Sequence, residues 1–144
     1  ADEAEWDSRS KGWVPAVRDQ GGCGSCWDFA AVAAAESAAI KAGKSKAADT
    51  NWSEQSVLNC GRNGGCNGDW PETALEQIRS LGIADEKDMP YTARVGSCNT
   101  SIPRPNVIDD YGYVGPEMGV AGTQAIKDAI KAHGSVAVAV MSKV

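Results

Sequence analysis

The spacing of apolar residues along the chain predicts a long helix from Ser25 to Ala42. Apolar positions in this run recur every three or four residues, which is the repeat of one face of an α-helix. The run is also rich in alanine, whose small side chain lets neighbouring elements approach closely, so we expect a central, buried helix. Gly43 suits the position just after a helix end. The predicted stripe consists of Phe29, Val32, Ala33, Glu36 and Ile40.

Two shorter helices are predicted downstream. Ser53 is a good N-cap residue for a short helical run that reaches Cys60, and Pro71 suits the first position of a helix that Gly82 ends. The stretch between them, residues 61–69, contains four glycines and is expected to be a loop.

A different pattern begins with Val107–Ile108 and Tyr111–Val114, which are typical of a strand. Thr123–Ala132 predicts an amphipathic helix, and the β-branched run Ser135–Val140 is typical of a strand buried on both faces. One or two strands without partners would expose backbone hydrogen-bonding groups and apolar faces. We therefore expect these residues to begin a second domain without completing it.

The expected fold class is α+β, with a mainly helical domain over residues 1–106 and the first part of a β-rich domain over residues 107–144. A chain of 144 residues with 42% apolar content can form the core of one domain or slightly more. Its formal net charge is −5 and it has no basic run, which argues against a nucleic-acid partner. No apolar stretch reaches membrane-spanning length. We expect no cofactor.

The chain contains five cysteines, and an odd number indicates two disulfides and one free thiol. Disulfides would place the protein in an oxidising compartment. Spacing alone does not fix which cysteines pair. Asn51 and Asn99 each begin a glycosylation sequon, which agrees with passage through a secretory route.

Cys26 is the candidate nucleophile. Ser25 is a good N-cap residue and Asp28 stands three positions later, which fits a capping box, so Cys26 falls in the first turn of the long helix. Unpaired backbone N–H groups and the helix dipole favour a negative charge there, and hence the thiolate.

Two other interpretations of these cysteines remain open from spacing alone. Cys23 and Cys26 have the C-x-x-C spacing of thioredoxin-like redox sites, although such sites follow a buried strand and this one follows a Pro- and Gly-bearing loop. A zinc site would add Cys60 and Cys66, but their separation is looser than usual and nothing else in the sequence indicates zinc.

The run Cys23-Gly24-Ser25-Cys26-Trp27 matches in full the signature of papain and the cathepsins. Further segments resemble this family in the same order, so the chain is identified as similar to papain-like cysteine proteases over nearly its whole length. These segments are Pro15–Gly21, Ser53–Gln55, Leu58–Cys60, Gly65–Gly68, Met89–Tyr91 and Gly134–Ala139.

The resemblance implies a papain-like fold and an endopeptidase, with roles for particular residues. Cys26 would attack a peptide carbonyl to give an acyl-enzyme, and Gln20 would help to form the oxyanion hole. By the family's pattern, the two disulfides would be Cys23–Cys66 and Cys60–Cys98, which leaves Cys26 free. The residues implied to hold substrate are Gly24, Gly68, Asp69, Trp70, Pro71 and Ala139.

The family's catalytic histidine and asparagine have no counterpart here, so we expect them in the remainder of the second domain, on the same or a second chain. His133, the only histidine, is expected to be an ordinary surface residue. Other expected partners are a peptide or protein substrate and a pro-peptide or protein inhibitor. The expected location is lysosomal, vacuolar or secreted.

Three acidic residues complete the expectations. Asp28 replaces the family's usual small residue; we interpret it as a capping carboxylate, or alternatively as a charge that weakens the thiol. Asp69 replaces a glycine of the substrate loop and would favour basic substrates or point into solvent, while Glu36 would be solvated at the edge of its stripe. Because Asp28 and Asp69 depart from the family pattern, the competing hypothesis is an inactive papain-fold binding or structural protein.

Overall fold

The long predicted helix is the centre of the fold. The computed structural model describes residues 3–61, 64–115 and 121–140. In this part of the chain the α-helices are α1 (Cys26–Lys41), α2 (Glu54–Asn59), α3 (Pro71–Leu81) and α4 (Thr123–His133), with short 3₁₀ helices at Ala47–Asp49 and Glu86–Asp88.

Helix α1 begins and ends where the sequence predicts. Gly43 has a φ of 78°, a backbone conformation that glycine adopts without the strain other residues would carry. Its N–H donates to the carbonyl of Ile40, and the N–H of Lys44 donates to that of Ala39, both at 3.0 Å. These two bonds form the Schellman motif that satisfies carbonyls at a helix end.

The core lies where α2 and α3 pack against α1. Ser53 caps α2, since its Oγ accepts from the N–H of Ser56 at 3.0 Å, and Gly82 ends α3 with a φ of 77°. A Cβ on Gly82 would lie 2.6 Å from the carbonyl oxygen of Arg104, so this close approach also needs a glycine. The core residues with no more than 5% exposure in these helices and their flanks are Cys23, Trp27, Ala31, Val32, Ala35, Trp52, Val57, Leu58, Ala74, Ile78 and Ile83.

The strands predicted after residue 106 are not formed in the described part of the chain. Strand-type pairing there is limited to isolated bridges, one of which joins Ile83 and Asn106. The run Ser135–Val140 is irregular, and Val138 and Val140 are 63% and 80% exposed. The expectation of a buried strand was wrong for this structure because no described segment lies alongside the run to pair with it.

Helix α4 extends one residue beyond its predicted end and packs lightly on α1. None of its side chains is fully buried. Gly134, which follows it, is buried, and a Cβ there would meet the carbonyl oxygen of Ser37 at 3.2 Å. Among the helices of the described residues, none is long and apolar enough to span a membrane.

Candidate active site

Cys26 is the first residue of α1, and it is the free cysteine of the described chain, with an exposed side chain. The preceding residue, Ser25, is in the N-cap position, but its side chain makes no capping hydrogen bond. The thiol therefore lies at a helix N-terminus where the serine side chain takes up no N–H group, although the carbonyl oxygen of Ser25 accepts from the N–H of Asp28 at 3.0 Å. Such a terminus stabilises nearby negative charge.

Gln20 lies on the other side of the glycine-containing turn that leads to Cys26. Its side-chain Nε2 donates to the carbonyl oxygen of Cys23 at 2.9 Å. This bond directs the amide toward the loop that carries the nucleophile. A primary amide has a second hydrogen to donate, so the same group remains able to bind an oxyanion.

The loop before Cys26 is fixed to the loop that carries Gly65–Gly68. Cys23 and Cys66 form a disulfide, and the N–H of Gly24 donates to the carbonyl oxygen of Cys66 at 2.9 Å. A Cβ on Gly24 would lie 2.3 Å from that oxygen, so only glycine fits. Trp27 adds a further tie, since its Nε1 donates to the carbonyl oxygen of Gly65 at 3.0 Å.

The second disulfide joins Cys60 and Cys98, so both bridges follow the pairing that the family resemblance implies. This pairing overturns the redox interpretation, because Cys23 is bonded to Cys66 and leaves Cys26 without a redox partner. It also overturns the zinc interpretation. Among the described residues, no group of His, Cys, Asp or Glu side chains is arranged to hold a metal ion.

Several of the residues that are expected to hold substrate lie on this loop or directly after it. Gly68 is exposed with a φ of 101°, Trp70 is 58% exposed, and Pro71 is the first residue of α3. Asp69 does not simply point into solvent. Its Oδ1 accepts from the N–H of Trp70 at 2.7 Å and from Oγ1 of Thr73 at 3.0 Å, which fastens the start of α3.

The remaining sequence candidates lie apart from these loops along the chain. Ala139 is exposed in the irregular run after α4, and His133 is exposed as the last residue of that helix. Asn51 and Asn99 are both exposed, although the side-chain oxygen of Asn51 accepts from Nε of Arg18 at 3.0 Å.

The capping interpretation of Asp28 was wrong. Its side chain is fully buried, and neither carboxylate oxygen has a hydrogen-bond partner. Burial raises the pKa of Asp28 well above its ordinary value, and the charges of Glu54 and Glu86 raise it further. A buried carboxyl without a partner is far less costly when neutral, so Asp28 holds a proton under conditions where a surface aspartate does not.

Glu36 is also buried, contrary to the expectation of a solvated side chain. It is 1% exposed, and its Oε2 accepts from the N–H of Trp52 at 2.9 Å. Burial raises the pKa of Glu36 to about 7, and it raises the pKa of Glu54 to about 7 as well. Asp28 and Glu36 lie on the same side of α1 as Val32, and Glu54 belongs to α2, so the sequence alone did not show that packing of other elements on α1 buries these acids.

The comparisons with known proteins agree with the geometry of this site. The family model for papain family cysteine proteases matches residues 3–144. Cathepsin L 1 of Paramecium tetraurelia is 42% identical over 106 residues, covering 72% of this chain and 33% of the relative. The senescence-specific cysteine protease SAG12 of Arabidopsis thaliana is 37% identical over 137 residues, covering 93% of this chain and 38% of the relative.

Solved structures agree with the predicted fold class. The bromelain protease from Ananas comosus, in complex with the inhibitor E64, superposes with a TM-score of 0.64 at 40% identity. That match covers 72% of this chain and 47% of the bromelain chain. The expected papain-like α+β fold class is confirmed by this likeness, although the described part of this chain is mainly helical and the strands predicted after residue 106 are not formed in it. The chain spans about a third of the length of the curated relatives it matches.

Proposed function

Because the chain belongs to the papain family of cysteine proteases, we propose that it is the nucleophile-bearing part of an endopeptidase that acts through a Cys26 acyl-enzyme. The observation that carries the proposal is the free, exposed thiol of Cys26 at the first position of α1. The amide of Gln20, held against the same loop, supports it.

In the proposed reaction, Sγ of Cys26 attacks the carbonyl carbon of the scissile peptide bond. The carbonyl oxygen becomes negative and is stabilised by the amide of Gln20 and the backbone N–H of Cys26. The C–N bond then breaks, the amine leaves with a proton from a general acid, and a thioester remains. Water attacks this thioester, which releases the acid product and restores the thiol.

The proton would be carried by a histidine, oriented by an asparagine, as the family resemblance implies. His133 is the only histidine in residues 1–144, and its exposed position at the end of α4 gives no support for this role. We therefore assign the base to polypeptide outside these residues.

Substrate would lie along the loop edge as an extended strand, held by Gly24 and Gly68 and flanked by Asp69. Trp70, Pro71 and Ala139 would line the main side-chain subsite, and the exposure of Trp70 favours an apolar side chain there. A pro-peptide or protein inhibitor would use the same edge. Among the similar structures, a stem bromelain is recorded as a precursor and a ragweed pollen cysteine protease in its proform.

The two disulfides favour an oxidising location, which we propose to be lysosomal, vacuolar or secreted. The side chains of Asn51 and Asn99 are exposed, as glycan attachment on that route would require.

A second candidate function is a binding or structural protein that keeps the fold but has lost activity. The observation that favours it is the buried, unpartnered carboxyl of Asp28, two residues after Cys26. Because burial keeps Asp28 neutral up to a raised pKa, its charge would oppose the thiolate and lower the reactivity of Cys26 only at a pH high enough to ionise it.

The test measures peptide hydrolysis and alkylation of Cys26 by iodoacetamide on the complete protein, with Cys26→Ala as the control. We expect hydrolysis that Cys26→Ala abolishes, and alkylation at mildly acidic pH much faster than that of a free thiol, because the thiolate is the nucleophile. If Cys26 reacts no faster than an ordinary thiol and no peptide is hydrolysed, the protease proposal is wrong and the proposal of an inactive binding protein is supported.

A further inference from the structure

Tyr91 is the one side chain in the described structure whose hydroxyl touches both flanks of the nucleophile loop. Its Oη donates to the backbone carbonyl oxygen of Gln20 at 2.6 Å. The same oxygen lies 2.9 Å from Oγ of Ser25. Gln20 supplies the proposed oxyanion donor, and Ser25 directly precedes Cys26. A single hydroxyl therefore connects the two parts that must act on one carbonyl group.

The segment between these two contacts has little rigidity of its own. It contains Gly21, Gly22 and Gly24, and Gly21 has a φ of 61°. Glycine loses more conformational freedom on folding than any other residue. Fixing the two ends of such a segment from outside is an effective way to set the distance between them.

Tyr91 is itself held from three directions. Its ring packs edge-on against Phe29 of α1, with ring centroids 4.9 Å apart. Its N–H donates to Oε1 of Glu86 at 2.9 Å, and the N–H of Thr92 donates to Oε1 of Gln55 at 2.8 Å. These contacts hold the tyrosine rigidly, so its hydroxyl has a fixed position, as a positioning group requires.

The contact also explains why Ser25 does not cap α1. A serine at this position usually accepts from an N–H in the first turn. Here Tyr91 gives its one hydroxyl hydrogen to Gln20, so the buried Oγ of Ser25 donates to Oη of Tyr91, and this bond holds the serine side chain in a rotamer that does not cap the helix. The N–H groups of Cys26 and Trp27 then remain available to a negative charge, whereas that of Asp28 donates to the carbonyl oxygen of Ser25.

We propose that Tyr91 is a positioning residue for the reaction of Cys26. It sets the distance between Gln20 and the nucleophile, and it holds the hydroxyl of Ser25 away from the N-terminus of α1. The inference rests on the proposed cysteine protease function.

The test compares Tyr91→Phe, which keeps the ring on Phe29 and removes only the hydroxyl, with Tyr111→Phe. Tyr111 is a matched control because its hydroxyl is bonded to Glu76, a residue of α3. We expect kcat to fall about tenfold in Tyr91→Phe with KM nearly unchanged, since an oxyanion donor would be displaced and not removed. Alkylation of Cys26 by iodoacetamide should slow as well, whereas Tyr111→Phe should leave both measurements at wild-type values.

A second substitution separates positioning from loss of structure. Without the tyrosine hydroxyl, Ser25 is free to cap α1, so adding Ser25→Ala to Tyr91→Phe should restore part of the lost alkylation rate. Equal kcat and alkylation in the two phenylalanine variants, or a further loss on adding Ser25→Ala, would overturn the proposal. If the wild-type protein hydrolyses no peptide, the protease function fails, but the alkylation comparison still tests the role of Tyr91.

Discussion

The helical body, residues 23–106, and the C-terminal stretch, residues 107–140, have similarly apolar patterns but bury them very differently. In the body, Val32, Leu58 and Ile78 have no exposed surface. In the C-terminal stretch, Val138 is 63% exposed, and α4 has no fully buried side chain. An apolar pattern therefore indicates which face needs a partner, and the partner decides whether the face is covered.

The difference arises from how helices and strands form the hydrogen bonds of their backbone N–H and C=O groups. A helix forms its hydrogen bonds within one segment, so α1, α2 and α3 need only side-chain packing from one another. A strand needs a second strand beside it for the same purpose. The body contains its own partners, whereas no described segment supplies one to Ser135–Val140.

The comparison predicts that the body tolerates truncation of its core poorly. Ile78 of α3 is fully buried in the core, so Ile78→Ala removes apolar contacts and leaves a cavity. The free energy of unfolding should fall by about 2–5 kcal/mol. Urea unfolding followed by circular dichroism measures this loss.

Leu81→Ala is the matched control, because Leu81 lies on the same helix but is 48% exposed. It should lower the free energy of unfolding by less than about 1 kcal/mol. Similar losses from the two substitutions would mean that α3 is not packed as described.

Local signals in the sequence predicted the body well. Ser53 caps α2, Gly82 ends α3, and α1 lies within one residue of its predicted bounds, because caps and terminal glycines act over a few neighbouring residues. Cys26 was indicated as the nucleophile by its place in the first turn of the long helix, and the family resemblance then agreed, whereas the disulfide pairing came from the resemblance and not from spacing. Burial of Asp28 could not be predicted, since it depends on how α2 and α3, which are distant in sequence, pack against α1.

The second prediction concerns pH and again separates the two regions, since the buried acids all lie in the body. The pKa values of Glu36 and Glu54 are about 7 in the folded protein, against an ordinary value near 4.5. At pH values between about 4.5 and 7, the folded state therefore binds more protons than the unfolded state. The free energy of unfolding falls as the pH rises through this range. The loss is on the order of 3 kcal/mol for either group acting alone. Thermal unfolding should show a higher Tm at pH 5 than at pH 7.5.

Asp28→Ala sharpens this prediction. The variant removes a buried acid whose pKa is raised, so it should raise Tm at pH 7.5 relative to wild type and lose that advantage near pH 4. The expected gain is several degrees, because about 1 kcal/mol corresponds to a few degrees in a domain of this size. A wild-type Tm that rises from pH 5 to pH 7.5 would contradict the assignment of neutral buried acids.

The smallest expected effect is at Val138, in the C-terminal stretch. With 63% of the residue exposed, Val138→Ser removes little buried apolar surface, and the free energy of unfolding should change by less than about 0.5 kcal/mol. The same urea experiment measures it, with Val57→Ser of the buried core as the matched substitution that should be strongly destabilising. A loss above about 1 kcal/mol from Val138→Ser would show that this valine is covered in solution. Apolar side chains would then be covered in both regions, and the two regions would differ only in which groups cover them.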